Sequence, residues 1–314
     1  LIGPPPEGPV ELLDLGAQTD PAGEGGLLDV AFAPAGDVVY LSHTTTAHDL
    51  RVVRYRIAGS APVGPGRTVA TIRGRSTLHH SGAMATTADG SLLLGVGDGG
   101  WASRREAADP SSPRGKILRL SPDAAPDSYE VVARGVRNPW KLSIDGPEEV
   151  LWFGDVGQRA REEVNVVDLD RAPPGVDFGW PAFEGTQETA RGADLVGLDP
   201  FGDAFGDPAS PSSRRSSDVV WPVAEYEHRP DSCAIVGGFV YRGTALEALA
   251  GSYLYGDFCS TRLMSVPADA PAVPASMPMV FSDPPTALAA FGSQNVLALL
   301  TGQQMVSLVA SSPG

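Results

Sequence analysis

The chain has 314 residues, 42% hydrophobic and 19% charged, an ordinary globular composition that permits one large domain or two. Its formal charge of -15 argues against a nucleic-acid phosphate backbone or an anionic lipid surface as a partner, since either needs a basic face. No apolar run approaches the roughly 20 residues of a membrane-spanning helix.

Glycine (37) and proline (29) are frequent and spread along the whole chain, so turns are many and strands short. In chain order, 27–42 reads as an apolar strand, a turn and a second apolar strand. The same pattern recurs at 82–97 around Asp89-Gly90 and at 140–154 around Asp145-Gly146. It returns at 287–302 around Gly292-Ser293-Gln294-Asn295. The first three starts are spaced by roughly 55 residues, a spacing that suits four strands per repeat. A further unit falls at 237–257. Six such units fill the chain, which predicts one all-β domain over 1–314, a six-bladed β-propeller of four-stranded antiparallel blades. The region 184–219 breaks the period and reads as a long loop excursion.

Several residues stand where propeller loops converge. His79, just before the second hairpin, is a candidate general base or a solvated loop histidine. Asp98, in a Gly-rich turn with no helix after it, either orients a histidine, ligates a metal or caps its own turn. Arg137 and Asn138 read as the end of a strand and offer forked donors to a planar anion or quinone; a structural ion pair is the alternative for Arg137. The turn at Gly157-Gln158 offers backbone carbonyls to a hard cation, with Glu162 and Glu163 following. His43, His48 and His228 lack metal-ligand spacing and read as structural. No nucleophile elbow, dinucleotide fingerprint or zinc pattern is present. Cys233 and Cys259 are either inert thiols or a disulfide. The disulfide reading, favoured by their place in one strand unit, implies a secreted or periplasmic location.

Taken together, Glu24-Gly25-Gly26-Leu27-Leu28, His79-x-x-Gly-x-Met, Gly97-Asp98-Gly99-Gly100, Gly115-Lys116-Ile117-Leu118-Arg119, Gly135-Val136-Arg137-Asn138-Pro139-Trp140, Gly154-Asp155-Val156-Gly157-Gln158 and Phe178-Gly179-Trp180-Pro181 resemble the soluble glucose/sorbosone dehydrogenase family. The resemblance runs from about 24 to 301. It implies a quinoprotein that binds pyrroloquinoline quinone (PQQ) and calcium and oxidises aldose sugars at C1. His79 then matches the catalytic base, and Glu24 a polar position touching substrate and cofactor. Arg137 and Asn138 match the quinone-binding pair, Gly157 and Gln158 the calcium carbonyls, and Glu162 an acidic neighbour. Three positions depart from the family pattern. Cys259 stands at an expected lysine, Pro284 and Thr286 at expected arginines, and Arg262 is the candidate substitute. Leu78 replaces the usual polar residue before the histidine. The same motifs also resemble hedgehog-interacting-protein-like propellers, which implies an alternative: a non-catalytic propeller that binds a protein or glycan through its loops.

Overall fold

The computed structural model describes residues 11–189 and 216–269, apart from Ser60, Arg75 and Ala245, together with strands between 275 and 308. The first sheet is β1 (Leu27–Phe32), β2 (Val38–Thr44), β3 (Leu50–Ala58) and β4 (Ala61–Ile72). The second is β5 (Ser81–Thr86), β6 (Leu92–Val96), β7 (Lys116–Leu120) and β8 (Glu130–Arg134). The third opens with β9 (Pro139–Asp145), β10 (Val150–Asp155) and β11 (Arg161–Asp168). The chain then leaves it through β12 (Val176–Asp177), which adds a parallel fifth strand to β8, and the small hairpin β13 (Phe183–Glu184) and β14 (Gln187–Glu188). It returns as β15 (Ala224–Glu227), paired antiparallel to β11. The fourth sheet is β16 (Ile235–Tyr241), β17 (Ser252–Asp257), β18 (Arg262–Pro267) and β19 (Ala275–Val280). The fifth is β20 (Pro285–Phe291), β21 (Val296–Thr301) and β22 (Gln304–Leu308).

All four hairpins expected from the turn pattern form within about two residues of their expected ends, and their pairing is antiparallel. The turn glycine Gly90 has φ 84°, a region open to glycine and costly for a branched side chain. Besides the small β13–β14 sheet, the described residues form five sheets, and a sixth blade is not among them. The count of six assumes even spacing, but the long interval between β9 and β16 holds one sheet plus an insertion between its third and fourth strands. The central part of that insertion, 190–215, lies outside the described residues.

The sheets stack face to face in chain order. Their inner strands β1, β5, β9, β16 and β20 lie side by side, each against the next. Each interface between successive sheets holds its own apolar cluster. Leu92 and Leu94 of β6 face Val38, Tyr40 and Val52 of the first sheet, while Leu93 between them faces Leu142, Leu151 and Phe153 of the third. Adjacent strand residues point to opposite faces, so a sheet buried on both sides needs an unbroken apolar run rather than alternation. Trp152, Val164, Tyr253 and Tyr255 join the third sheet to the fourth, and Tyr241, Leu254, Leu263 and Leu288 the fourth to the fifth.

Candidate active site

The stacking order brings the entrances of the inner strands together. Glu24 lies three residues before β1, His79 two before β5, and Arg137 and Asn138 directly before β9. The second strand of each hairpin ends at the same rim, delivering Asp98 just past β6, Asp155 at the end of β10 and Asp257 at the end of β17.

His79 is held from three sides. Its amide donates to Glu24 Oε2 at 2.8 Å, its Nδ1 lies 2.7 Å from Asp98 Oδ1, and its Nε2 lies 3.1 Å from an Arg137 Nη. A carboxylate only accepts and a guanidinium only donates, so the proton sits on Nδ1 and the Nε2 lone pair faces Arg137. The backbone is strained there. His79 has φ 52° and Ser81 φ 54°, left-handed conformations costing about 1–3 kcal/mol each for residues other than glycine. The Glu24 contact and the Ser81 Oγ bond to the Pro139 carbonyl at 2.5 Å hold this segment in place. Gly97 permits the approach, since a Cβ there would fall 2.0 Å from the His79 carbonyl.

Asp98 is buried, and every contact it makes at its two oxygens is with a donor. Oδ1 also accepts from the Gly100 amide at 2.8 Å, and Oδ2 from the Trp180 indole at 2.8 Å. Burial opposes its charge, but His79, Arg137 and the Gly100 amide outweigh it and hold the pKa below the ordinary carboxylate value. Of the three roles open to it in the sequence, the geometry combines two: Asp98 caps its own turn at Gly100 and holds the His79 ring. Trp180, which sequence reasoning places in a motif without a role, also lies under the Arg137 guanidinium at 5.7 Å. The neighbouring loop is pinned by Lys116, wholly buried, whose Nζ donates to the carbonyls of Glu106, Ala107 and Arg114.

The other guanidinium contact of Arg137 is the Val156 carbonyl at 2.9 Å. Asn138 Nδ2 reaches Glu24 Oε2 at 3.3 Å, and its buried Oδ1 accepts no hydrogen bond among the described residues. Both backbone amides of this pair donate to Asp155, at 2.8 and 2.7 Å.

On the far side of β10, the Gly157 amide donates to Glu162 Oε2 at 3.2 Å, and the Gln158 amide to Glu184 Oε1 at 2.6 Å. Glu162 is fully enclosed and burial pushes its pKa up to about 8; its Oε1 faces His228 Nδ1 at 3.4 Å. Beside it, burial and then the Asp155 charge push Glu163 up to about 8, and burial pushes Asp155 up to about 7. An unfolded glutamate titrates near ~4.3. Between that value and the raised one, the folded chain keeps a proton that the unfolded chain has released. Stability is therefore expected to fall as pH rises from about 5 to about 8. Melting curves across that range check it: Glu163→Gln, which cannot ionise, should flatten the slope, and an unchanged slope would remove Glu163 as its source.

Cys233 and Cys259 form a disulfide with a Cα–Cα distance of 5.5 Å, joining the β16 entrance to the loop after β17. Cys259 therefore supplies no charge where a lysine is expected. Thr286 lies exposed on β20, Pro284 falls outside the described residues, and Arg262 stands exposed at the start of β18, past the disulfide loop. Leu78 is half-buried, its amide bonded to Ser76 Oγ. His43 is buried against Thr19, and His48 pairs with Asp20 at 2.6 Å. Among the described residues no helix is long and apolar enough to cross a membrane.

The family described as Glucose / Sorbosone dehydrogenase matches residues 10–276. The HIPL2 protein of Arabidopsis thaliana is 28% identical over 213 residues, 57% of this chain and 28% of that protein. Hedgehog-interacting protein of Mus musculus is 28% identical over 263 residues, 74% of this chain and 33% of that protein. The chain thus spans a third of the length of these relatives or less. The solved structure of the PQQ-bound aldose sugar dehydrogenase from Streptomyces coelicolor aligns with a TM-score of 0.67 at 25% identity, covering 92% of this chain and 77% of that one. The family match extends over most of the chain and contains the whole His79–Asp98–Arg137 constellation, so this protein belongs to the glucose/sorbosone dehydrogenase family.

Proposed function

We propose that the protein is an extracytoplasmic sugar dehydrogenase that oxidises the C1 hydroxyl of aldoses, with His79 as base. The observation that carries this reading is the imidazole held between a pure acceptor and a pure donor, which leaves Nε2 unprotonated. The sugar hydroxyl takes the place of the Arg137 Nη at Nε2 and gives up its proton there. The C1 hydrogen leaves with its electron pair, and the C1–O bond becomes the carbonyl of a lactone. Asp98 then faces an imidazolium, whose charge its carboxylate stabilises. When bound, PQQ supplies the acceptor for that hydride and calcium the polarisation of the quinone.

The residues fit such a cofactor at its quinone end. Arg137 and Asn138 offer donors, and Glu24 lies within reach of both His79 and Asn138. The carbonyls of Gly157 and Gln158 suit a hard cation. At the carboxylate end, Arg262 is the candidate cation, since Cys259 is committed to the disulfide. That same disulfide favours the second reading, a non-catalytic propeller that binds a protein or glycan through its loops. It also supports a secreted or periplasmic location. A closed six-bladed ring over the whole chain stays part of the proposal.

The test is reconstitution with PQQ and calcium, followed by thermal melting and by dye reduction with a panel of aldoses. A cofactor-dependent rise in melting temperature and aldose-dependent reduction are expected. His79→Ala should lower turnover by about a hundred- to ten-thousand-fold and leave cofactor affinity intact. Absence of both the thermal shift and turnover would sink the enzyme reading and leave the binding propeller.

A further inference from the structure

We propose that Glu184 is a positioning residue that makes the Gly157-Gln158 turn a cation site, an inference that rests on the reading of those two carbonyls as calcium ligands. Glu184 belongs to β13, at the root of the excursion, and is buried. Its Oε1 accepts four successive backbone amides: Gln158 at 2.6 Å, Arg159 at 2.7 Å, Ala160 at 2.7 Å and Arg161 at 3.2 Å. Such a ring of amides is a nest for an anion, and here the chain's own carboxylate fills it.

The consequence for the carbonyls follows from peptide planarity. In a trans peptide the N–H and the preceding C=O point in opposite directions. The Gln158 N–H shares its peptide with the Gly157 carbonyl, and the Arg159 N–H shares its peptide with the Gln158 carbonyl. Because both N–H groups point at Glu184, both carbonyls point away from it. Those are the two carbonyls assigned to the cation. Glu162 takes the remaining donor, the Gly157 amide, so two buried carboxylates stand behind the turn. With the turn's amides drawn back by these carboxyl oxygens, the carbonyl dipoles present their negative ends on the other side. Gly157 allows the wrap, since a Cβ there would fall 1.8 Å from the Arg161 carbonyl and 2.8 Å from Glu184 Oε1. The root of the excursion is itself tied down. Gly185 donates its amide to Glu163, and Thr186 donates its amide and hydroxyl to Glu225, at 2.6 and 2.8 Å. Glu184 therefore links the excursion to the cation turn.

The experiment uses the full chain without quinone and titrates calcium by calorimetry. Terbium, which occupies calcium sites, then counts bound waters through its luminescence lifetime in H2O and D2O. Glu184→Gln, which keeps the shape and loses the charge, should weaken cation affinity by about tenfold or more and raise the number of terbium-bound waters by at least one. Melting without metal reports whether each variant folds. Glu184→Asp, which keeps the charge but shortens the reach, gives a second variant and should lie between parent and Glu184→Gln. Parent binding with both variants within about twofold and an unchanged water count would overturn the role of Glu184 alone. A parent that binds neither calcium nor terbium would overturn the cation reading and this inference with it.

Discussion

Exchanging Asp98 for asparagine is expected to cut aldose turnover by about a hundred- to ten-thousand-fold, while the melting temperature falls by only a few degrees. The cause is a conflict of donors. Around the carboxylate, His79 Nδ1 and the Gly100 amide donate to Oδ1, and the Trp180 indole donates to Oδ2. An asparagine has one oxygen for these two faces. With that oxygen toward Trp180, its NH2 meets the Gly100 N–H and the imidazole. The imidazole relieves its part only by moving its proton to Nε2, where it meets another donor, the Arg137 guanidinium. With the oxygen toward His79, the NH2 faces the indole N–H, which then has no acceptor. One arrangement occupies the lone pair that must take the sugar's proton; the other leaves a buried donor unpaired. Both remove the negative charge that steadies the imidazolium. Steady-state dye reduction measures the loss, and the ring nitrogen chemical shifts of 15N-labelled His79 report the tautomer. A variant that turns over within about tenfold of the parent, with its proton still on Nδ1, would show that Asp98 does not orient the base.

Much of this site was legible in the sequence because it depends on local signals. The hairpins are set by apolar runs and turn residues a few positions apart. Once strands are assigned, their entrances must converge, which is why Glu24 and His79 were readable beside one another although far apart in the chain; Arg137 and Asn138, read as ending a strand, instead stand directly before β9. The number of sheets was less legible, because even spacing carries no sign that β15 returns to a sheet the chain has left. Trp180 and Glu184 were not legible as site residues. Both come from the excursion rather than from a strand entrance, and their partners, Asp98 and the 158–161 amides, are fixed by the path of a loop with no period of its own. Asp98 was legible only as a set of alternatives, since a turn cap and a histidine orienter have the same local sequence.

One repeated signal was available and bears on stability. Gly97-Asp98, Gly154-Asp155 and Gly256-Asp257 place an aspartate at the end of the second strand in three successive sheets. Asp155 uses its two oxygens to cap the amides of Arg137 and Asn138, at the entrance of its own sheet's inner strand. Asp257 does the same one sheet on. Its Oδ1 accepts from the amides of Cys233 at 3.1 Å and Cys259 at 2.8 Å, and its Oδ2 from the Ala234 amide at 3.1 Å and the Tyr226 hydroxyl at 2.7 Å. In the second sheet the same position keeps one backbone amide, that of Gly100, and gives its other bonds to the His79 imidazole and the Trp180 indole. The structural version predicts a large stability effect. Asp257 is wholly enclosed, and asparagine cannot accept on both sides. Tyr226 can reverse its hydroxyl and accept from the new NH2, but backbone amides cannot. At least one buried N–H is left unpaired and three bonds lose their charge assistance. Asp257→Asn is therefore expected to cost about 2–4 kcal/mol, and to lower the melting temperature by roughly 3–6 °C in a domain of this size. The disulfide should still form, because the cysteine backbones are also fixed by β16 and β17. Thermal melting of the oxidised protein, with a thiol count to confirm the bridge, is the measurement. A fall of less than about 2 °C would mean that the amides find other acceptors, leaving the Cys233–Cys259 bridge to hold this corner without Asp257.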